Sequence, residues 1–143
     1  SGAKRMALAG VHHHSLGPRG RLIIPSKLRR SLGQKFVAVA AFDCLELFPL
    51  SRWEDIEKGI RELPPFSKET EDLINHLGSR TAICAMDKQG RSMIPLELCE
   101  AIGIKGDVVS VGAVDRIRVW PKDEYERRSR EVQTSLDTLR EVL

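Results

Sequence analysis

Short runs of apolar residues, separated by turns, recur in the same order in two parts of the chain. Alternation of apolar and polar positions over four to eight residues is typical of a half-buried strand. The predicted strands cover 21–24, 36–41 and 45–48 in the first part and 91–94, 108–113 and 117–120 in the second. The last two strands of each part flank a turn, so each pair is predicted to form a hairpin.

A short helix is predicted after the first strand of each part. Pro25 and Pro95 open these helices, because the first helical turn does not need the backbone N–H that proline lacks. Leu28 and Leu32 lie four residues apart on one face, and Gly33 ends the helix as a C-terminal cap. The second part repeats this spacing, so the two helices are predicted to be equivalent.

Helical patterns also follow each of the two parts. After the first, Ser51 with Glu54 three residues later predicts a capping box, and Ser67 predicts the start of a second helix. After the second, 122–143 is predicted to form one helix. Its apolar stripe consists of Val132, Leu136, Leu139 and Leu143. The stripe either packs on its own barrel or forms a subunit interface, and the pattern leaves both open.

The two parts are related residue by residue. The segment 15–25 aligns with 85–95, so that the glycine–arginine and isoleucine–proline pairs coincide. Further matches are Leu28 with Leu98, Gly33 with Gly103, Val37 with Val109, Asp43 with Asp115 and Pro49 with Pro121. Gly20 and Gly90 are predicted to make tight turns, where glycine permits a positive φ. The chain is therefore a tandem repeat of one module.

Positive charge is concentrated at the start of the chain. The formal net charge is only +3, but the first 35 residues contain eight basic residues and no acidic one. Residues 36–76 contain four basic against nine acidic residues, and the remainder balances. A concentrated basic segment is typical of a surface that binds a polyanion. A solvated basic arm is the alternative interpretation.

No motif for catalysis, metal binding or a cofactor is found in the sequence. Phosphate-binding loops, zinc motifs and nucleophile elbows are missing, so we expect no enzyme and no cofactor. Cys44, Cys84 and Cys99 lack metal or redox spacing and are predicted to be buried apolar side chains. His12 and His14 share a face of an extended segment, but no neighbouring ligand completes a metal site. The sequence contains no run of about 20 apolar residues, which is the length that predicts a membrane span.

The order of extended segment, glycine–arginine turn, strand, isoleucine–proline, helix and hairpin resembles the SpoVT/AbrB superfamily. Two copies with a helical insert and a helical tail are similar to the MraZ family, and the similarity covers roughly 6–143. The resemblance implies an α+β, β-rich fold, in which the two repeats form a pseudo-twofold, swapped-hairpin β-barrel. The implied divisions are 8–53 for the first AbrB-like repeat, 54–79 for the helical linker, 80–121 for the second repeat and 122–143 for the C-terminal helix.

The family signature, D-x-x-x-R, is complete in only one of the two copies. The second copy has Asp87 and Arg91, whereas Gly17 stands where the first copy should have its aspartate, four residues before Arg21. The missing carboxylate either frees Arg21 for phosphate or removes its fixed orientation. For Arg91, an ion pair with Asp87 that sets the turn is as plausible as a contact with DNA.

The predicted DNA-binding residues are mostly arginines, whose planar guanidinium fits a phosphate or a guanine edge. Arg21 is the leading candidate and Arg19 the second. The full set is Arg19, Arg21, Lys27, Arg29, Arg30, Lys88 and Arg91. The residues expected to shape the motif are Gly20, Gly90, Asp87, Pro25 and Pro95.

The resemblance also implies a function. MraZ-type proteins are DNA-binding transcriptional regulators that bind direct repeats in a promoter of the division and cell-wall gene cluster, as a closed homo-oligomeric ring. We therefore expect double-stranded DNA as the partner and a cytoplasmic, nucleoid-associated protein. The first copy is expected to grip DNA, and the second to complete the barrel and the assembly. An antitoxin-like or partner-binding module is the alternative.

Overall fold

The computed structural model describes residues 8–143, without the side chains of Gln133 and Thr134. Within this range the strands are β1 (Val11–Ser15), β2 (Arg21–Ile23), β3 (Lys35–Val39), β4 (Leu45–Pro49), β5 (Thr81–Ala85), β6 (Arg91–Met93), β7 (Asp107–Gly112) and β8 (Ile117–Pro121). The α-helices are α1 (Ser26–Leu32), α2 (Leu50–Arg61), α3 (Lys68–Ser79), α4 (Leu96–Ala101), α5 (Lys122–Arg130) and α6 (Gln133–Val142). The α+β class predicted from the sequence is confirmed.

The two copies exchange strands within one antiparallel sheet. Its six strands follow the order β1-β7-β8-β4-β3-β5. The first strand of each copy lies on the hairpin of the other, because β1 pairs with β7 and β5 pairs with β3. The hairpins β3–β4 and β7–β8 form as predicted and meet where β4 pairs with β8. Closure of these strands into a barrel stays a prediction.

A second, two-stranded sheet joins the motif strands of the two copies, and we call β2 with β6 the signature ribbon. Its antiparallel register sets Arg21 opposite Met93, Leu22 opposite Ser92 and Ile23 opposite Arg91. Beyond the strands, the Ile24 N–H donates to the Gly90 carbonyl and the Ile94 N–H donates to the Gly20 carbonyl, both at 2.8 Å. These two hydrogen bonds are equivalent in the two copies, as the predicted pseudo-twofold relation between the repeats requires.

The main core lies between the signature ribbon, the short helices and the inner side of the large sheet. Leu22, Ile24, Leu28 and Ile94 are at most 2% exposed and belong to this one cluster. Full burial of each such side chain contributes roughly 1.5–3 kcal/mol. A smaller cluster of Val37, Val39 and Phe48 packs against Trp53, Ile56 and Leu77 of the linker helices. The linker therefore covers the other side of the first hairpin.

Proline rather than serine stands at the start of α2. The predicted capping box of Ser51 and Glu54 is wrong, because β4 runs directly into the helix through Pro49 and leaves Ser51 inside the first turn. The prediction at Ser67 is confirmed. Its Oγ accepts the backbone N–H of Thr70 at 3.0 Å and so caps α3.

The tail consists of two helices, so the prediction of a single helix over 122–143 is wrong. Between α5 and α6, Glu131 leaves α-helical geometry with φ −101° and ψ 7°. The apolar stripe of α6 is exposed, with 40% of Leu136, 47% of Leu139 and 94% of Leu143 accessible. The stripe is therefore only partly covered by the described residues of its own chain. No helix within residues 8–143 is long and apolar enough to cross a bilayer.

Candidate nucleic-acid interface

Side chains of the signature ribbon alternate between the core and the surface. Leu22 and Ser92 face inwards and are 1% and 2% exposed. Because successive strand residues point to opposite faces, their neighbours face outwards. We call this outward surface the arginine face; it consists of Arg21, Ile23, Arg91 and Met93. Both signature arginines, one from each copy, thus lie on one exposed surface.

The register sets the spacing of the arginine face. Arg21 lies opposite Met93 and Arg91 lies opposite Ile23, so the two arginines are diagonal neighbours. Diagonal positions on an antiparallel pair are about 7–8 Å apart. Ile23 and Met93, which were not among the predicted site residues, are 47% and 52% exposed. The two-residue alternation in each motif strand would have revealed them.

Asp87 holds the turn and the arginine of the second copy. Its Oδ1 accepts the backbone N–H groups of Gln89 and Arg91 at 2.9 Å each, and its Oδ2 accepts Nε of Arg91 at 2.7 Å. The backbone N–H and the guanidinium of Arg91 hold the pKa of Asp87 below its ordinary value. The Arg91 side chain remains half exposed. The pairing of Asp87 with Arg91, one of the two alternatives that the signature left open, is thus present and fixes the direction of Nε.

The first copy lacks the carboxylate and shares only part of the backbone of this turn. The Gly17 N–H donates to the Arg21 carbonyl at 2.8 Å, as the Asp87 N–H donates to the Arg91 carbonyl at 2.9 Å in the second copy. Arg19 adopts a positive φ of 61° within the short 3-10 turn. Within residues 8–143, the Arg21 side chain makes no hydrogen bond or ion pair. Its guanidinium is exposed and free to meet a ligand.

The other predicted basic residues fall in different places. Arg19 and Lys88 are exposed in the turns before β2 and β6, which the antiparallel pairing places at opposite ends of the ribbon. Lys27 and Arg30 are exposed on α1. Arg29 differs, because its Nε donates to the Ile24 carbonyl at 2.8 Å. That bond gives Arg29 a structural role that the sequence did not reveal.

The three cysteines are buried, as predicted. Burial raises the pKa of Cys44 to about 12 and that of Cys84 to about 11, and it also raises the pKa of Cys99. A thiol with so high a pKa carries almost no thiolate at neutral pH, and the thiolate is the nucleophile. These cysteines therefore serve as small apolar side chains.

The histidines of β1 are placed by the strand. His12 and His14 are half-buried on one face, as the alternation predicted, and His13 is exposed on the other. His14 Nε2 lies 2.7 Å from Ser110 Oγ, and burial lowers the pKa of this imidazole. In residues 8–143, no group of three or more His, Cys, Asp or Glu side chains is arranged to hold a metal ion.

Comparison with known families agrees with the tandem architecture. The profile of the family described as "MraZ protein" matches residues 7–76 and 79–141, and the description likens this family to antitoxins. The chain belongs to the MraZ family. The two matched segments correspond to the two copies of the module, so the MraZ repeat accounts for both halves of the strand exchange.

Relatives in the MraZ family are similar over most of their length. A protein of Clostridium beijerinckii is 38% identical over 117 residues, 81% of this chain and 82% of the relative. One of Pelotomaculum thermopropionicum is 35% identical over 135 residues, 94% of this chain and 93% of the relative. A protein of Caldanaerobacter subterraneus is 34% identical over 137 residues, which are 95% of this chain and 96% of the relative. Each of the three is named a transcriptional regulator MraZ.

Proposed function

We propose that this chain is a DNA-binding transcriptional regulator and that the arginine face is its contact with DNA. The observation that carries the proposal is the presence of Arg21 and Arg91 together on the exposed side of one two-stranded ribbon. The major groove of B-DNA is wide enough to admit a two-stranded β-ribbon. The names of the relatives support regulation of transcription as the purpose of this contact.

The two arginines differ in the contacts that their side chains already make within the protein. Arg21 has no partner among the described residues, so its full fork of donors is available to a phosphate or to a guanine edge. Arg91 is oriented by Asp87 through Nε, and its Nη2 donates to Gln89 Oε1 at 3.4 Å, so only part of its fork of donors is available to a ligand. In this proposal the arginine face takes one arginine from each copy, so the second copy also contacts DNA.

The surrounding basic residues fit contacts to the DNA backbone. Arg19 and Lys88 flank the ribbon at its two ends, and Lys27 and Arg30 are exposed on α1. Such residues position a protein on the duplex by binding phosphates and carry no base information themselves. In this proposal the arginine face makes the contacts that distinguish one DNA sequence from another.

A closed homo-oligomeric ring on promoter direct repeats follows from the same proposal. The exposed stripe of α6 is an apolar surface that a neighbouring subunit can cover. In a ring, each subunit can take one repeat, and the first contact raises the effective concentration of the next subunit at its own repeat. The predicted site of action is the promoter of a division and cell-wall gene cluster, in the nucleoid.

A fluorescence anisotropy titration tests the proposal. The duplex carries the direct repeats upstream of the gene, and the control is a scrambled duplex of the same length. We expect tighter binding to the repeats and a linear fall of log affinity with log salt, as counterions are released. A flat salt response, or equal affinity for both duplexes, contradicts the proposal.

The exposed stripe of α6 also favours one alternative, a partner-binding or antitoxin-like module. Leu136→Glu and Leu139→Glu place charges on this stripe, and light scattering on the purified protein reports its mass. A lower mass for the variants identifies the stripe as a subunit interface. An unchanged mass, with loss of a small protein that co-purifies from the native host, favours the alternative.

A further inference from the structure

A cavity of about 490 Å³ lies beside the first signature turn. The turn lines one side of it through Gly17, Arg19 and Gly20, whereas helix α4 and the loop between α4 and β7 line the rest, together with Leu16. The cavity therefore brings together a turn of the first copy with a helix and a loop of the second. A volume of this size lies within the range of small-molecule sites.

The inner part of the cavity is apolar. Cys99 and Ile104 line it and are only 2% and 5% exposed, so they lie at its inner end. Leu16 is half-buried, and Leu96 is 48% exposed although it lines the same space. Transfer of apolar surface out of water is favourable. An occupant with an alkyl chain therefore gains free energy by covering Leu16 and Leu96.

The mouth of the cavity is charged. Arg19, Lys105 and Glu100 line the cavity and are exposed, so their charges meet solvent there. Within residues 8–143, none of these three side chains makes a hydrogen bond or an ion pair. Two positive charges against one negative charge leave the mouth with a net formal charge of +1. A single negative charge on an occupant balances this excess, whereas a cation adds to it.

We propose that this cavity binds a small carboxylic acid with an alkyl chain. The carboxylate lies at the mouth and pairs with Arg19 and Lys105, since the planar fork of a guanidinium matches the two oxygens of a carboxylate. The alkyl chain packs on Leu16, Leu96 and Ile104. Apolar walls with a few charged groups at one end are the usual construction of a site for such a ligand.

The bound acid weakens DNA binding, a consequence that rests on the proposed function. Arg19 is one of the proposed phosphate contacts, and its turn leads directly into Arg21 at the start of β2. An acid paired with Arg19 withdraws this positive charge from the DNA and adds a negative charge near the arginine face. The cavity is therefore a site through which a small acid regulates the proposed DNA contact.

Octanoate is the probe, and its controls separate the charge from the chain. Octanamide has the chain without the charge, octylammonium has the opposite charge, and acetate has the charge without the chain. In an NMR titration of the ¹⁵N-labelled protein we expect octanoate to give saturable shifts of the amides of Gly20, Leu96 and Ile104, with one equivalent bound per chain. Each control should bind at least several-fold more weakly.

Two variants at the mouth should change the affinity for octanoate in opposite directions. Lys105→Gln should weaken binding about two- to fivefold, and Glu100→Gln should strengthen it by a similar factor, as expected for exposed charges. Lys58→Gln in α2 makes the same change outside the cavity and is the matched control. Leu96→Trp should fill the space and abolish binding. If circular dichroism shows that Leu96→Trp fails to fold, the two charge variants decide alone.

Fluorescence anisotropy with repeat DNA tests the consequence for DNA binding. We expect octanoate to lower the DNA affinity of the unaltered protein and to leave that of Leu96→Trp unchanged. The NMR titration needs no DNA, so the two proposals fail separately. Octanoate binding by a protein that binds no DNA would refute the proposed function and support the site.

Three results would overturn the site. The first is equal binding of octanamide, which would leave the charged mouth without a role, and the second is preferential binding of octylammonium. The third is weaker binding of octanoate to Glu100→Gln than to the unaltered protein. Unchanged DNA affinity at saturating octanoate would overturn the regulatory role of Arg19.

Discussion

The two signature turns share part of their backbone geometry and differ in what holds the arginine. Both have a glycine at φ 79° and a hydrogen bond from the first residue of the motif to the carbonyl of its arginine. Only the second turn has the Asp87 carboxylate, which binds two backbone N–H groups and the Arg91 guanidinium. The two turns also differ in conformation, because Arg19 has a positive φ of 61° in the first, whereas in the second the Gly90 N–H donates to the Asp87 carbonyl at 3.0 Å. The carboxylate orients Arg91 and neutralises part of its charge.

The first prediction concerns the two turn glycines and has the largest expected effect. An alanine at either position is strained by the positive φ, at a cost of about 1–2 kcal/mol. Gly20→Ala also drives Cβ into the Ile94 carbonyl, which the ribbon holds in place, whereas Gly90→Ala meets only the movable Arg29 side chain. We expect Gly20→Ala to lower the free energy of unfolding by ~3 kcal/mol or more, and by more than Gly90→Ala does.

Urea unfolding followed by circular dichroism measures both glycine variants against the unaltered chain. Ser92→Ala provides a control on the same ribbon, because its buried hydroxyl has no hydrogen-bond partner among the described residues. Equal losses at the two glycines would show that the Ile94 carbonyl gives way as easily as the Arg29 side chain.

The second prediction compares the two arginines of the arginine face. Removal of an arginine that reads a base edge costs about 1–3 kcal/mol of binding. We expect Arg21→Ala to reach this range and Arg91→Ala to fall below it, because Asp87 already neutralises part of the Arg91 charge. The measurement is anisotropy with repeat DNA at fixed salt. The unfolding midpoint of Arg21→Ala should not move, since the side chain is exposed and unpaired among the described residues. A larger loss for Arg91→Ala would reverse the assignment.

The third prediction restores the missing carboxylate. Gly17 has φ −79° and ψ 179°, so an aspartate fits its backbone, and its Cβ would meet only Arg21 atoms at 3.3 Å and beyond. In Gly17→Asp the new carboxylate should pair with Arg21 and compete with DNA. Exposed ion pairs contribute about 0.2–1 kcal/mol, so we expect a two- to fivefold weaker affinity. Gly17→Asn is the neutral control, and stronger binding by the aspartate variant would refute the idea.

The fourth prediction concerns pH and has the smallest effect. The pKa of Asp87 lies below its ordinary value, so its ion pair stabilises the fold above that ordinary value and the contribution is lost as the pH falls through the lowered one. Asp87→Asn should therefore unfold at a slightly lower urea midpoint at neutral pH, with the difference vanishing in acid. A difference that persists in acid would mean that the side chain acts through packing instead.

Much of the local structure was predictable because it depends on short-range chemistry. Proline before each short helix, glycine in each turn and alternation in each strand are all properties of neighbouring residues. The errors have local causes too. Pro49 lets β4 continue into α2 without a loop, which displaced the cap expected at Ser51, and the break at Glu131 lies within a continuous helical pattern.

The candidate site could be predicted only in part. The motif identified Arg21 and Arg91 as separate candidates. The sequence did not predict that β2 and β6 pair and so bring both arginines to one face. The role of Arg29 was hidden for the same reason, because the turn it fills belongs to the other copy.

The sequence by itself determined the module, its duplication, the basic start of the chain and the asymmetry between Gly17 and Asp87. These features rest on residue order, which repeats and periodicity display directly. Only the tertiary structure decided which strands exchange, and that the two signature arginines lie on one face of the signature ribbon. The strand pairings join segments far apart in the sequence, such as Arg21 with Met93 in the signature ribbon, and the pattern of one segment does not say which other segment it pairs with.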